Sequence, residues 1–161
     1  MAPPIKTVAV LVANPALSSI LSMTLAGASS LRVRPFDTQI ALMTYLHLAP
    51  AHLVVADFDS VPSRADRLAD DLHHDRAIAS PKLQIIALAS ELTAEIKMAS
   101  IHAGIDEIIM KPMSPRYLVE RVLARLATTP TLPERRGARQ KDWSRFGDNV
   151  VPLFRQPEAV L

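Results

Sequence analysis

The chain has 161 residues, 49% of them hydrophobic, so it is long and apolar enough for one domain with a core and a short extension. Its 18 basic and 16 acidic residues give a formal charge of +2, which excludes a strongly basic nucleic-acid coat and an acidic disordered chain. Residues 1–127 hold twelve basic and twelve acidic side chains, whereas residues 128–161 hold six and four. The whole excess of positive charge therefore lies in the last fifth of the chain.

The sequence contains no cysteine, which excludes disulfides, thiolate zinc sites and thiol nucleophiles and is consistent with a reducing cytoplasm. No charged residue occurs from Thr7 to Leu31, a stretch that resembles a signal peptide or a membrane span in this respect. Asn14 and Pro15 interrupt its apolar run, and hydroxyl side chains thin out its second half. We therefore predict a cytoplasmic protein without membrane insertion.

Short apolar runs alternate with stretches of helical periodicity over residues 1–127. The predicted strands are Val8–Val12, Leu31–Val33, His52–Ala56, Leu83–Ala89 and Glu107–Met110. The predicted helices begin at Pro15 and then cover Thr38–Leu48, Arg64–His74, Thr93–Ala103 and Pro115–Leu126. This alternation predicts an α/β fold, a doubly wound five-stranded parallel sheet with helices on both faces.

Polar residues follow several of the predicted strands. In doubly wound folds, ligand sites gather at the carboxyl ends of the parallel strands. The polar residues at these ends are Asn14, Asp57, Asp59, Ser90 and Lys111. We therefore expect a site at this edge of the sheet.

Residues 5–127 resemble the CheY-like receiver domains of bacterial response regulators. The resemblance rests on the Leu-Val-Val-Ala-Asp run that ends at Asp57, on Ala-Gly-Ile-Asp-Glu at 103–107, and on Lys111-Pro112 followed by Ser-Pro and a helix. It implies the (βα)5 receiver fold, which is related to that of flavodoxin. It also implies that Asp57 occupies the place of the phosphoacceptor and Lys111 that of the phosphate-binding lysine.

Other receiver positions do not match. The two acidic Mg²⁺ ligands, the switch hydroxyl and the switch aromatic are replaced by Ala13 and Asn14, Ala89, and Ile108, respectively. Unless Asp59 substitutes, Asp57 is the one remaining conventional carboxylate ligand, so we expect Mg²⁺ to be held poorly. Without the metal, only the Lys111 ammonium offsets the charge of the reactants, which disfavours phosphoryl transfer. Two readings stay open, a structural ion pair between Asp57 and Lys111 or a phosphorylated Asp57.

The histidines show no pattern typical of a metal site. His73 and His74 are neighbours, and neighbours on a helix diverge by about 100°, so an exposed acidic helix explains them. The other three, His47, His52 and His102, have no ligand spacing either. We predict no metal site and no catalytic residues, and thus a binding protein rather than an enzyme.

The composition changes after Ala127. The segment 128–161 holds four of the thirteen prolines and two of the four glycines and shows no helical or strand period, so we expect it to be disordered without a ligand. It also holds the only tryptophan, Trp143, and an excess of three positive charges between Pro133 and Arg145. We therefore divide the chain into a domain, 1–127, and an arginine-rich ligand-binding tail, 128–161.

The chemistry of the tail suits a small anionic ligand that carries guanine. Arginine pairs bidentately with phosphate or with the O6 and N7 edge of guanine, and it also stacks on bases. Tryptophan adds a stacking face, and aspartate can accept from the opposite guanine edge. The basic run is short and interleaved with acidic residues that would repel a phosphate backbone, so we predict no DNA binding.

The tail motifs Glu-Arg-Arg-Gly-x-Arg and Asp-Trp-x-Arg-Phe-Gly-Asp-Asn, behind a receiver without its acidic pair, resemble those of the Cle group of CheY-like proteins. The resemblance implies binding of cyclic di-GMP, as a self-stacked dimer, by a tail that orders on it. The positions carried over are Arg135, Arg136, Arg139, Trp143 and Arg145, with Asp142, Asp148 and Asn149 as secondary candidates. Ordering would let Val150, Val151, Leu153 and Phe154 dock on the receiver or on a partner.

The same resemblance implies that the receiver body acts on the flagellar motor switch protein FliM at the flagellated pole and regulates motility and surface attachment. The partner face would include Lys97, Ile101, Ile108 and Tyr117, although Ile101 and Ile108 would serve equally well as core residues. Two alternatives remain: a stand-alone response regulator phosphorylated on Asp57 by a histidine kinase, and an adaptor that uses neither signal.

Overall fold

The computed structural model describes residues 4–60, 63–80, 82–127 and 150–152. The first five strands are β1 (Lys6–Leu11), β2 (Leu31–Phe36), β3 (Leu53–Asp57), β4 (Gln84–Ala89) and β5 (Glu107–Met110). The helices are α1 (Pro15–Ala26), α2 (Gln39–Leu48), α3 (Ala65–His74), α4 (Ala94–Ala103) and α5 (Pro115–Ala127). Every predicted strand and helix is present, and the predicted doubly wound α/β fold is confirmed.

The five strands are parallel and lie in the order β2-β1-β3-β4-β5. The chain moves outward from β1 to β2 and then returns past β1 to β3, so the direction of winding reverses between β1 and β3. Folds of this kind place ligands at the carboxyl ends of the strands near that reversal. The edge where β1, β3, β4 and β5 end is therefore the region to search for a site.

A hydrophobic core lies on each face of the sheet. Side chains of α2, α3 and α4 pack on one face, and side chains of α1 and α5 pack on the other. Strand β3 shows the division: Val54 and Ala56 belong to the first core, and Leu53 and Val55 to the second. All four are fully buried, as expected for a central parallel strand covered on both faces.

Local signals set the helix ends. Asn14 accepts a hydrogen bond from the Leu17 amide at 3.1 Å and caps α1, while Pro15 occupies the first turn, where it costs no hydrogen bond. Helix α4 ends at Gly104, whose φ of 77° lies in the left-handed region that favours glycine. The Asn14 cap fixes where the loop after β1 ends, at the carboxyl edge of the sheet.

A sixth strand, β6 (Val150–Pro152), pairs antiparallel with the outer edge of β5. Ile109 pairs with Val150, Ile108 with Val151, and Glu107 with Pro152. This strand was not predicted from the sequence, because three residues are too few to show a period. The pairing covers a strand edge that would otherwise present unpaired backbone groups, and a proline is tolerated at such an edge position.

Glu107 is a buried charge that joins β5 to α5. Its carboxylate accepts from Arg121 at 2.6 and 3.0 Å and from Arg125 Nε at 2.9 Å. The hydrogen bond to Glu107 raises the pKa of Arg121. A buried carboxylate is tolerated when charged donors satisfy it, so this network fixes α5 against the sheet.

Among the described residues, no helix is both long and apolar enough to cross a membrane.

Candidate functional site

Asp57 and Lys111 meet at the carboxyl ends of β3 and β5, the strands on either side of β4. Asp57 is the last residue of β3 and is buried, and Lys111 follows β5. The Lys111 Nζ lies 3.0 Å from Asp57 Oδ1 and 3.2 Å from Oδ2. The ion pair that the sequence analysis considered is therefore present, and it is the charged centre of this edge of the sheet.

Asp59 is a second carboxylate at the same ammonium. Its Oδ2 lies 2.8 Å from Lys111 Nζ and accepts from the Ser90 amide at 2.9 Å and the Ser90 hydroxyl at 2.7 Å. The Asp59 amide in turn donates to Asp57 Oδ1 at 2.9 Å. One lysine thus bridges two aspartates, and one aspartate oxygen joins the loop after β3 to the loop after β4.

The pKa shifts agree with this geometry. Partial burial alone would raise the pKa of Asp59, but hydrogen bonds from Lys111 and Ser90 outweigh it and hold that pKa below its usual value. Burial alone would lower the pKa of Lys111, but hydrogen bonds to Asp59 and Asp57 outweigh it and raise that pKa. Both groups are charged at neutral pH, so the ammonium is neutralised within the protein.

The donor set at this site does not fit Mg²⁺. The Asn14 Oδ1 caps α1, and Ala13 offers no side-chain oxygen. The Lys111 ammonium contacts both remaining carboxylates, Asp57 and Asp59. A metal ion bound by these two carboxylates would have to compete with that ammonium for their oxygens. Within the ranges described, no group of three or more histidine, aspartate or glutamate side chains is placed to hold a metal ion.

The segment after β4 differs from a receiver switch. Ala89 is fully buried and has no hydroxyl, whereas the Ser90 hydroxyl binds Asp59. The sequence predicts Ser90 and Asp59 at the same edge of the sheet but does not indicate that they bond to each other. Adjacent strand ends indicate proximity only, and the choice of partner depends on how each loop turns.

Four of the five histidines form hydrogen bonds with backbone groups of the protein. His73, His74 and His102 each bond through Nδ1 to the carbonyl of the residue four positions earlier. His52 Nδ1 lies 3.0 Å from the Thr7 amide, and burial lowers the pKa of His52. The fifth histidine, His47, lies 2.5 Å from Asp75 Oδ2 through its Nε2, so every histidine contacts another group of the protein.

The expected partner face is only partly a surface. Lys97 is exposed, and Ile101 and Tyr117 are half-buried. Ile108 is fully buried in the core beneath α2, α3 and α4, so the expectation that it contacts a partner is wrong. Strand β5 is an inner strand here because β6 covers it.

The residues predicted to bind cyclic di-GMP lie outside the described residues. They are Arg135, Arg136, Arg139, Asp142, Trp143, Arg145, Asp148 and Asn149. Leu153 and Phe154 of the predicted docking segment also lie outside them, whereas Val150 and Val151 belong to β6.

No protein-family model matches the sequence, and no curated protein matches it. Among solved structures, a CheY-like response regulator receiver domain protein from Methanospirillum hungatei JF-1 superposes with a TM-score of 0.67 at 21% identity, covering 76% of this chain and 94% of that chain. A response regulator from Thermotoga maritima gives 0.65 at 21% identity, covering 77% and 99%. The chemotaxis response regulator CheY4 of Vibrio cholerae gives 0.65 at 15% identity, covering 76% and 98%. The chain therefore has the fold of the CheY-like receiver domains of response regulators.

Proposed function

We propose that this protein is a cyclic di-GMP effector: the tail, 128–161, binds the dinucleotide and the receiver body passes the signal to a protein partner. The observation that carries the proposal is that Lys111 is held by Asp57 and Asp59 together. In the pocket where a receiver would take up a phosphoryl group, the ammonium is thus already occupied by two carboxylates, which favours an input elsewhere in the chain.

The pocket chemistry argues against phosphorylation as the main input. Phosphoryl transfer brings an anionic donor to a carboxylate, and metal ions and cationic side chains must offset the accumulating charge. Here Asp57 and Asp59 share the one ammonium, and the place of the metal-binding acidic pair holds Ala13 and Asn14. We infer that the pocket has a structural role and that the protein needs no Mg²⁺ and has no enzymatic activity.

The tail offers an alternative input. Between Pro133 and Arg145 it carries four arginines, one lysine and two acidic residues, with Trp143 among them. Arginine and tryptophan are the side chains best suited to phosphate, guanine edges and base stacking together. The tail motifs also resemble those of the Cle group, which supports cyclic di-GMP as the ligand and not DNA.

The stretch 128–149 of the tail lies between two elements that belong to the body. Helix α5 ends at Ala127, and β6 begins at Val150, which pairs with Ile109 at the carboxyl end of β5. All eight proposed binding residues fall between these two points in the sequence. A ligand that orders this stretch would therefore act on a segment attached to β5, in the part of the body where we place the partner.

The proposed partner is the flagellar motor switch protein FliM, on the strength of the resemblance. The surface of α4 and α5, which includes Lys97 and Tyr117, is the proposed contact face. We propose that the protein acts in the cytoplasm at the flagellated pole and regulates motility and surface attachment. A pull-down that recovers no motor-switch component, with or without the dinucleotide, would count against this assignment.

Titration of Trp143 fluorescence with cyclic di-GMP tests ligand binding, because this is the only tryptophan in the chain. We expect a saturable change that is lost or strongly weakened in Arg136→Ala. The matched control is Arg116→Ala, which removes an arginine whose side chain is 89% exposed on α5. A silent titration, together with no heat of binding in calorimetry, would refute the proposal.

A second candidate function is a stand-alone response regulator phosphorylated on Asp57 by a histidine kinase. The observation that favours it is the Lys111 ammonium 3.0 Å from Asp57 Oδ1 at the end of β3. Incubation with a small-molecule phosphodonor and Mg²⁺ separates the two functions. A stable phosphorylated adduct that is absent in Asp57→Asn would support the second candidate function. It would argue against a purely structural role of the Asp57 pocket.

A further inference from the structure

One oxygen of Asp59 is surrounded by three different donors. Its Oδ2 lies 2.8 Å from the Lys111 ammonium, 2.9 Å from the Ser90 amide and 2.7 Å from the Ser90 hydroxyl. An ammonium, a backbone amide and a hydroxyl that converge on one point form a donor set suited to an oxyanion. In this protein the oxyanion is part of the chain.

The surrounding bonds hold Asp59 in this position. Its amide donates to Asp57 Oδ1 at 2.9 Å, so the loop after β3 turns back on the end of its own strand. Next to it, the Phe58 amide donates to the carbonyl of Leu88 in β4 at 2.6 Å. The carboxylate of Asp59 thus reaches Ser90 from a backbone that is already anchored to β4.

We propose that Asp59 is an internal anion that fills an oxyanion site formed by Lys111 and Ser90, closing that site to inorganic phosphate and fixing the loop after β4. A phosphate oxygen would need the same three donors at about 2.7–2.9 Å, so the two anions exclude each other. The nearby Asp57 carboxylate adds repulsion against a free anion while Lys111 is shared. This inference concerns the receiver body alone and does not depend on the function proposed for the tail.

The exposure of the site makes the proposal testable. The side chain of Asp59 is 36% exposed, whereas that of Asp57 is only 7% exposed. Truncating Asp59 at Cβ therefore removes its carboxylate from Lys111 Nζ and Ser90 but keeps its backbone amide, which donates to Asp57. Substitution by alanine should convert a closed site into one that accepts phosphate.

The experiment is a titration of the full chain, labelled with ¹⁵N, with inorganic phosphate at constant ionic strength, following the Ser90 amide resonance. We expect Asp59→Ala to bind phosphate at least tenfold more tightly than the unmodified protein, with a saturable shift of Ser90. Adding Ser90→Ala to that variant should weaken the acquired affinity several-fold. If Asp59→Ala does not fold, Asp59→Ser replaces it, because a serine side chain is polar but too short to place an oxygen where Asp59 Oδ2 lies.

The matched control is Asp37→Ala, which removes an exposed carboxylate from the loop after β2, at the same edge of the sheet. It should bind phosphate no better than the unmodified protein. Equal affinity in the unmodified protein and the Asp59 variants would overturn the proposal. So would an equal gain in Asp37→Ala, because the effect would then come from net charge and not from a vacated site.

Discussion

Replacing Glu107 by glutamine should destabilise the protein by about 3 kcal/mol, since removing a charge from a buried ion pair costs about 3–5 kcal/mol. The Glu107 side chain is 2% exposed, and it accepts from Arg121 at 2.6 and 3.0 Å and from Arg125 at 2.9 Å. Glutamine keeps one acceptor oxygen but turns an NH₂ group toward arginine donors. Hydrogen bonds to charged groups are worth about 1.5–3 kcal/mol each, so losing one and weakening the others gives this magnitude.

The low end of the range applies because the arginines are less buried than their partner. The side chains of Arg121 and Arg125 are 14% and 25% exposed, and both arginines have further interactions in the protein. Water and these other groups can compensate part of the charge that Glu107 loses. The loss in the free energy of unfolding should therefore lie nearer to about 3 kcal/mol than to about 5 kcal/mol.

Urea denaturation followed by far-ultraviolet circular dichroism at neutral pH measures this loss. With a slope of about 2 kcal/mol per molar urea, the midpoint should fall by about 1.5 M with an unchanged slope. The matched control is Glu120→Gln on α5, the helix that carries both arginines, where the glutamate is 60% exposed and pairs with Arg116 at 3.4 Å. An exposed pair of this kind contributes about 0.5 kcal/mol or less. A loss below about 1 kcal/mol for Glu107→Gln, or equal losses for the two variants, would refute the reasoning about the buried network.

Three further predictions concern the site, the tail and the sixth strand. The destabilisation caused by Asp59→Ala should be greatest near neutral pH. The pKa of Asp59 is lowered in the folded protein, so the stability that its charge gives is lost as pH falls below the usual 3.8. The pKa of Lys111 is raised in the folded protein, so the stability that its charge gives is lost as pH rises above the usual 10.5. Urea denaturation of both proteins across pH measures this, and a pH-independent difference would contradict it. Arg136→Ala or Arg139→Ala should weaken cyclic di-GMP binding by about 1–3 kcal/mol in calorimetry, and affinity should also fall as salt rises, whereas unchanged affinity in both variants would show that the site is elsewhere. Truncation after residue 149 should speed amide exchange in β5 but not in β1, because β5 then becomes an unpaired edge; equal protection with and without β6 would argue against the pairing.

The order of elements was readable from local pattern. Apolar runs and helical periods depend on residues a few positions apart, so all five βα units and the burial of β3 could be predicted. The parallel topology then placed Asp57 and Lys111 at one edge of the sheet, because parallel strands end on the same side. That these two residues, 54 positions apart in the chain, could form an ion pair was inferred from the resemblance to receiver domains.

Other features depend on contacts that no local pattern records. Ile108 is buried because helices pack over its face of the sheet, and the sixth strand exists because residues 150–152, far along the chain, pair with β5. Glu107 reads as an ordinary polar residue at a strand end, yet it is buried because α5 presents two arginines to it. In each case the partner comes from another element, so periodicity carries no signal for it.

The sequence by itself determined the architecture and the placing of two aspartates, a serine and a lysine at one edge of the sheet. Only the tertiary structure decided how these groups pair. Asp59 binds Ser90, 31 residues away, and shares Lys111 with Asp57. The physical reason is that strand order sets which loops are neighbours, whereas the turn of each loop and the competition among nearby donors and acceptors set which atoms bond.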